Sequence, residues 1–286
     1  MPKRIPCLFC AAVLCALCVS SASAEIVARA WGRSVIEIPM DPWESQWGDC
    51  GGSSVSDIYS PAYNWDGEEL YELHGENGFR LDTHVDEPDV ANMAEGWSEV
   101  KRREDPTGPE LAVMLTDGTA ELSGPNYYLT DFALASYRGS AEGFFTAGRT
   151  GTYWVHMGGM WQADLRHAYP YEPGMPADQV PEVQVIMRVA LRDSDGTNLF
   201  QPTQGWSTTA DGWLEMESFS QAVGYHDTGH NVILNWPCQL VEGEEYLAAV
   251  ELVLAVQSPG GFVPEPGTLS LLAIGGLAII KRRRTC

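Results

Sequence analysis

Glu245-Tyr-Leu-Ala-Ala-Val-Glu-Leu-Val-Leu-Ala-Val-Gln257 decides the fold class. It is a long aliphatic and β-branched run without Gly or Pro, and it predicts a strand. Val183-Gln-Val-Ile-Met-Arg-Val-Ala-Leu-Arg192 and Gly151-Thr-Tyr-Trp-Val-His-Met157 read the same way, and Asn126–Tyr137 and Trp213–Phe219 alternate in part. Asp-Gly recurs at Asp66-Gly67, Asp117-Gly118, Asp195-Gly196 and Asp211-Gly212. That dipeptide supplies the positive φ of tight hairpin turns. The expectation is an all-β ectodomain, an antiparallel β-sandwich or jelly-roll-like fold. One segment dissents: Asp89 can cap a helix whose Val90, Met93, Trp97 and Val100 share a face, although Gly96 weakens it. Pro39–Asn64, with Gly, Ser, Pro and Trp, and Tyr169–Pro181, with four prolines, are expected as loops or irregular edges. There is no internal repeat.

The 286 residues carry 39 Asp+Glu against 17 Lys+Arg, a net charge of -22. Such a balance excludes a general nucleic-acid binder, which needs a basic face. A hydrophobic content of 44% excludes a wholly disordered acidic chain. Residues 1–24 read as a signal peptide for the Sec export machinery. Lys3 and Arg4 precede the apolar run Ile5–Val19, and Ala22 and Ala24 mark a small-x-small cleavage site. Domain boundaries follow: 1–24 leader, 25–257 extracellular domain, 258–268 linker, 269–286 short transmembrane helix and basic tail. Setting aside the two cations of the leader, the four of the tail and Glu265, residues 25–262 keep 11 Lys+Arg and 38 Asp+Glu, a net of -27. That surface is soluble and self-repelling at low salt.

The tail has three adjoining parts. Val263-Pro264-Glu265-Pro266 is rigid and extended, Leu269–Ile280 is apolar, and Lys281 is followed by Arg282, Arg283 and Arg284. A helix of the apolar length rises roughly 18 Å, short for a bilayer core of about 30 Å. The cationic stop belongs on the cytoplasmic side. In this order the three parts resemble the PEP-CTERM sorting signal of Gram-negative bacteria. The resemblance covers only the tail. It implies an exosortase as processing partner, a transient inner-membrane anchor, and a destination at the cell surface or in the extracellular matrix, where such proteins accompany exopolysaccharide.

Several stretches carry candidate chemistry. Cys50 and Cys238 are the only cysteines between leader and tail, and an exported pair predicts a disulfide. Gly48-Asp49-Cys50-Gly51-Gly52-Ser53 looks like a cysteine-protease nucleophile turn, but no His precedes it. His226-Asp-Thr-Gly-His230 has a four-residue His spacing without helix-forming residues between, so a polar loop is expected rather than zinc. Asp193-Ser-Asp195-Gly-Thr-Asn198 alternates oxygen side chains as calcium loops do, and equally suits an Asp-Gly hairpin. Of ten tryptophans, Trp43, Trp47, Trp65 and Trp206 lie in loop-like contexts and are the candidate sugar contacts. Trp154, Trp213 and Trp236 are expected in the core. No carboxylate pair can be chosen for glycoside hydrolysis among so many acids.

Taken together, the residues and the resemblance describe an exported, non-enzymatic surface or matrix protein, with no resident cofactor beyond a calcium candidate at Asp193 and Asp195. Its alternatives are a carbohydrate-binding module and a secreted polysaccharide hydrolase.

Overall fold

Every second residue of Phe79–Asp86 is buried and every other one exposed, and the same alternation runs through most of the chain. The computed structural model describes residues 25–40, 45–59, 66–74, 78–87, 92–103, 110–125, 133–166, 182–201, 206–222 and 226–258. In chain order the strands are β1 (Glu25–Met40), β2 (Gln46–Tyr59), β3 (Asp66–His74), β4 (Phe79–Asp86), β5 (Met93–Arg103), β6 (Glu110–Pro125) and β7 (Ala133–Thr146). They continue with β8 (Gly151–Arg166), β9 (Glu182–Arg192), β10 (Ser207–Thr208), β11 (Leu214–Ala222), β12 (His226–Leu240) and β13 (Glu245–Ser258).

Two antiparallel sheets stack face to face. One has the order β12-β8-β1-β6-β5-β4, the other β10-β11-β9-β13-β7-β2-β3. The chain crosses between them repeatedly, so most strand pairs join segments far apart in sequence. The strand runs at 183–192 and 245–257 are β9 and β13. They pair with each other, and Val250, Leu252, Leu254 and Val256 face the core. The tail and its apolar segment, like the leader, lie outside the described residues. Among the described residues no helix is long and apolar enough to cross a membrane.

The centre of the sandwich is built on missing side chains. Gly32, Gly118 and Gly96 lie in register across β1, β6 and β5. Tyr137 of β7, fully buried, lays its ring into the trough left by Gly118 and Gly96. A Cβ on Gly118 would overlap Tyr137 Cδ1, and one on Gly96 would overlap Cε2. Hydroxyl groups surround the ring. Ser54 donates to Tyr137 Oη at 3.4 Å and bonds Thr83 at 3.0 Å, and Ser56 bonds Thr83 at 2.8 Å. Ser98 donates to the Ser53 carbonyl at 2.8 Å.

This trough overturns several expectations. Asp117-Gly118 is the middle of β6, not a turn, and Asp66-Gly67 opens β3. Of the four Asp-Gly pairs, only Asp195-Gly196 and Asp211-Gly212 are turns, with φ of 79° and 80° at their glycines. The expected helix is replaced by β5. Ala94, Gly96, Ser98 and Val100 point inward there, while Met93 and Trp97, counted on the helical face, point outward. Asp89 and Val90 lie outside the described residues. The expected loop of Pro39–Asn64 contains the end of β1 and all of β2. Tyr169–Pro181 lies outside the described residues.

The expected disulfide is not formed: Cys50 and Cys238 are both buried thiols, unlinked to each other. Cys50 lies on β2, which packs over β4 and β5, and Cys238 lies on β12 at the opposite edge of the other sheet. From β12 to β5 is four strand spacings, roughly 19 Å, against the ~7 Å Cα limit for a bridge.

Candidate functional site

Outward residues of β4, β5 and β6 meet β3 of the second sheet in a shallow depression of about 330 Å³. Gly96 and Gly118 form part of its lining, above the Tyr137 ring. Trp97, Asp82, Asp117, Glu95, His84 and Glu68 supply its functional side chains. Strand pairing places them: Trp97 lies between Asp82 and Asp117, and Glu95 lies beside His84.

Each carboxylate already holds a partner. Asp82 accepts a forked pair of bonds from Arg80, Nε at 3.0 Å and Nη2 at 2.8 Å. Asp117 accepts from Arg33 Nε at 2.6 Å. Glu95 meets His84 Nδ1 at 3.0 Å, and Glu68 accepts the backbone N–H of His84 at 2.9 Å. The last contact lets the edge of one sheet cap the open edge of the other. Arg80 also lies over the Trp97 ring, 4.1 Å from its centroid, and its hydrogen bond to Asp82 pushes its pKa up. The site is polar, fixed by ion pairs, and carries one indole. Its leftover carboxylate lone pairs can accept hydrogen bonds from hydroxyl or amine donors.

The residues singled out from sequence scatter. Trp47 is a core residue at 5% exposure. Trp206 is half-buried and stacks on Trp236 at 6.3 Å, and both pack against the core. Trp43 and Trp65 lie outside the described residues. Trp213 is half-buried below the Arg192 guanidinium at 5.2 Å. Trp154, expected in the core, is 55% exposed on β8.

Cys50 sits within a strand, and burial pushes its thiol pKa up, the reverse of what an activated nucleophile needs. His226–His230 is strand, not loop. On a strand, four residues span roughly 13 Å, too far for two imidazoles to share one zinc. His230 Nδ1 meets Glu217 on β11 at 2.6 Å. Asp193 accepts the N–H groups of Asp195 (3.1 Å) and Thr197 (2.8 Å), closing a turn at the end of β9. Among the described residues no group of three or more His, Cys, Asp or Glu could hold a metal ion.

The depression had no signal in the sequence. Its acids come from four strands, and only the pairing registers bring them together. The described chain is thus a two-sheet antiparallel sandwich with a polar outward site. Residues 262–284 match the family model of the PEP-CTERM protein-sorting motif. The match contains Val263, Pro264, Glu265, Pro266 and the three arginines. It marks the protein as an exported one with a membrane-anchored sorting signal of Gram-negative type and implies an exosortase as processing partner. No curated protein and no solved structure matches the chain.

Proposed function

We propose that this is a cell-surface or extracellular-matrix protein whose acidic sandwich associates with exopolysaccharide without turning it over. The sorting motif at residues 262–284 carries the proposal, since the PEP-CTERM resemblance implies a protein that accompanies exopolysaccharide at the cell surface. The net charge of -27 on residues 25–262 suits a soluble, self-repelling body in a hydrated matrix. The test is fractionation of cells expressing the full chain. Wild type is expected in the matrix fraction, and replacing Pro264, Glu265 and Pro266 by alanine holds it in the inner membrane. Normal release of the variant, or equal recovery from a strain that makes no exopolysaccharide, overturns the proposal.

A second reading, a carbohydrate-binding module, is favoured by outward-facing tryptophans. Trp97 beside hydrogen-bonding carboxylates is one such surface. Turnover of a polysaccharide that is lost on Asp82→Asn or Asp117→Asn would instead point to a hydrolase.

A further inference from the structure

We infer that the outward face of β8 and β12 is a platform for a neutral polysaccharide chain, with the Trp154 indole as its stacking surface. The inference rests on the exopolysaccharide reading above and names the surface and the ligand class.

Exposure is the first observation. Trp154 is 55%, Met160 37% and Ile233 75% exposed, all on this face. An indole left more than half in water at mid-strand is unusual, because a strand has a buried face available by parity. Here the inward set is already Tyr153, Val155 and Met157.

Charge is the second. The chain from 25 to 262 has a net charge of -27, yet residues 152–162 and 229–239 contain no Asp, Glu, Lys or Arg. The charges that border it are already partnered: Glu37, opposite His156, is held by Arg103 at 2.9 Å, Arg33, opposite Met160, by Asp117 at 2.6 Å, and Glu217 by His230 at 2.6 Å. A uniformly solvated acidic exterior would not leave a bare strip across two paired strands. The strip excludes a cationic ligand, which it cannot neutralise. The surrounding field opposes an anionic one.

Chemistry is the third. Register sets Pro237 opposite Trp154, Asn235 opposite His156, and Gln239 opposite Thr152. Gln239 donates to Thr152 at 2.6 Å, which holds that amide beside the indole. An aromatic plane ringed by amides, a hydroxyl and an imidazole matches a pyranose, with its apolar C–H face and hydroxyl rim. A face meant for a second copy of the chain would need a broader apolar area than one Trp, one Ile and one Met interleaved with amides.

The experiment is native affinity electrophoresis of the processed protein recovered from the matrix. Gels contain hydroxyethylcellulose, laminarin, dextran or galactomannan as neutral polymers, and alginate as a uronate polymer. Wild type is expected to be retarded by at least one neutral polymer. Trp154→Ala is expected to lose about tenfold in apparent affinity while Trp154→Phe keeps most of it. Both variants should unfold at the wild-type urea midpoint, since the side chain faces water. Trp97→Ala should bind like wild type. No retardation by any neutral polymer, retardation by alginate alone, unchanged binding in Trp154→Ala, or loss only in Trp97→Ala each overturns the inference. So does a wild-type dimer that Trp154→Ala turns into a monomer without any glycan effect. Failure here leaves the exopolysaccharide reading standing if wild type still fractionates with the matrix. Absence from the matrix sinks that reading whatever the gels show.

Discussion

Gly118→Ala probes the Tyr137 trough with one methyl group. The three atoms nearest the added Cβ would all belong to that ring: Cγ at 2.7 Å, Cε1 at 2.5 Å and Cδ1 closer still, well inside ordinary contact. The ring cannot swing aside, because it already fills the space at Gly96 on the next strand and Tyr137 Oη lies among Ser54 and Ser98. Overpacking of this kind costs about 1–3 kcal/mol, and a clash this deep belongs near the top of that range. Replacing Gly by Ala in a strand returns roughly 0.5–1 kcal/mol of backbone entropy. The net loss is about 2 kcal/mol, or roughly 4–8 °C in Tm for a domain of this size.

The assay is calorimetry and urea unfolding of the processed protein. Gly151→Ala is the control, since nothing lies within 4 Å of its Cβ. A double-mutant cycle with Tyr137→Leu decides the cause. Tyr137→Leu alone costs several kcal/mol by leaving a cavity. In the double variant the methyl group added at position 118 occupies part of that space, so the two losses should fall short of additive by about 1 kcal/mol or more. Strict additivity, or a Gly118→Ala midpoint equal to wild type, refutes the glycine trough as the reason for these residues.

Three further outcomes follow from the same core. Burial pushes the Cys238 thiol from 9.0 up to about 12 and the Tyr137 hydroxyl from 10.0 up to about 12. Both protons leave the unfolded chain first. Stability is therefore full below pH 9 and falls as pH rises towards 12, by about 1.4 kcal/mol per pH unit for each group in its window. Burial pushes the Cys50 thiol up as well, so Cys238→Ala should leave the onset near pH 9 but make the fall shallower, read as the urea midpoint against pH. Peptide mass mapping of the processed protein, alkylated in denaturant without reductant, should find both Cys50 and Cys238 labelled, and a linked peptide pair would contradict the opposite-edge placement. Thr116 Oγ1 and Ser34 Oγ lie on paired residues of β1 and β6, buried and without hydrogen-bond partners among the described residues. Thr116→Val should raise stability by roughly 1 kcal/mol, seen as a higher Tm; a loss of that size would mean the hydroxyl is satisfied by water.

The strands legible in the sequence are those whose own residues fill the core. β9 and β13 carry Val, Leu and Met inward, so their period shows directly. β2 and β5 do not. Their central inward residues are Gly52, Ser54, Ser56, Gly96 and Ser98, with Ile58, Ala94 and Val100 inward only towards the strand ends, and the central bulk comes from Tyr137 and Phe79 on other strands. Hydrophobic periodicity is silent where one element supplies the space and another the side chain. For the same reason β5 imitates a helix: the outward Met93 and Trp97 stand four residues apart, and Gly96 looks like a defect. The start of the edge strand β12, His226–His230, resembles a loop in sequence because its residues are polar and Gly229 interrupts them.

The outward placement of Trp154, against expectation, has a different cause, one that bears on function. Parity along β8 is ambiguous from composition, since Tyr153, Val155 and Met157 compete with Trp154, His156 and Met160 for the inside. The turn at Gly243, with φ of 80°, leads from β12 into β13. Cys238 and Leu240, just before it on β12, point inward at 2% and 1% exposure. Pro237 is therefore outward, and register carries its partner Trp154 outward with it. Proline within a sheet is confined to edge strands and bulges, and Pro237 lies on the edge strand β12. The same exposed edge would ordinarily invite pairing with another chain. In a protein this acidic, repulsion between copies opposes that pairing, which leaves the uncharged strip free for a partner that carries no charge of its own.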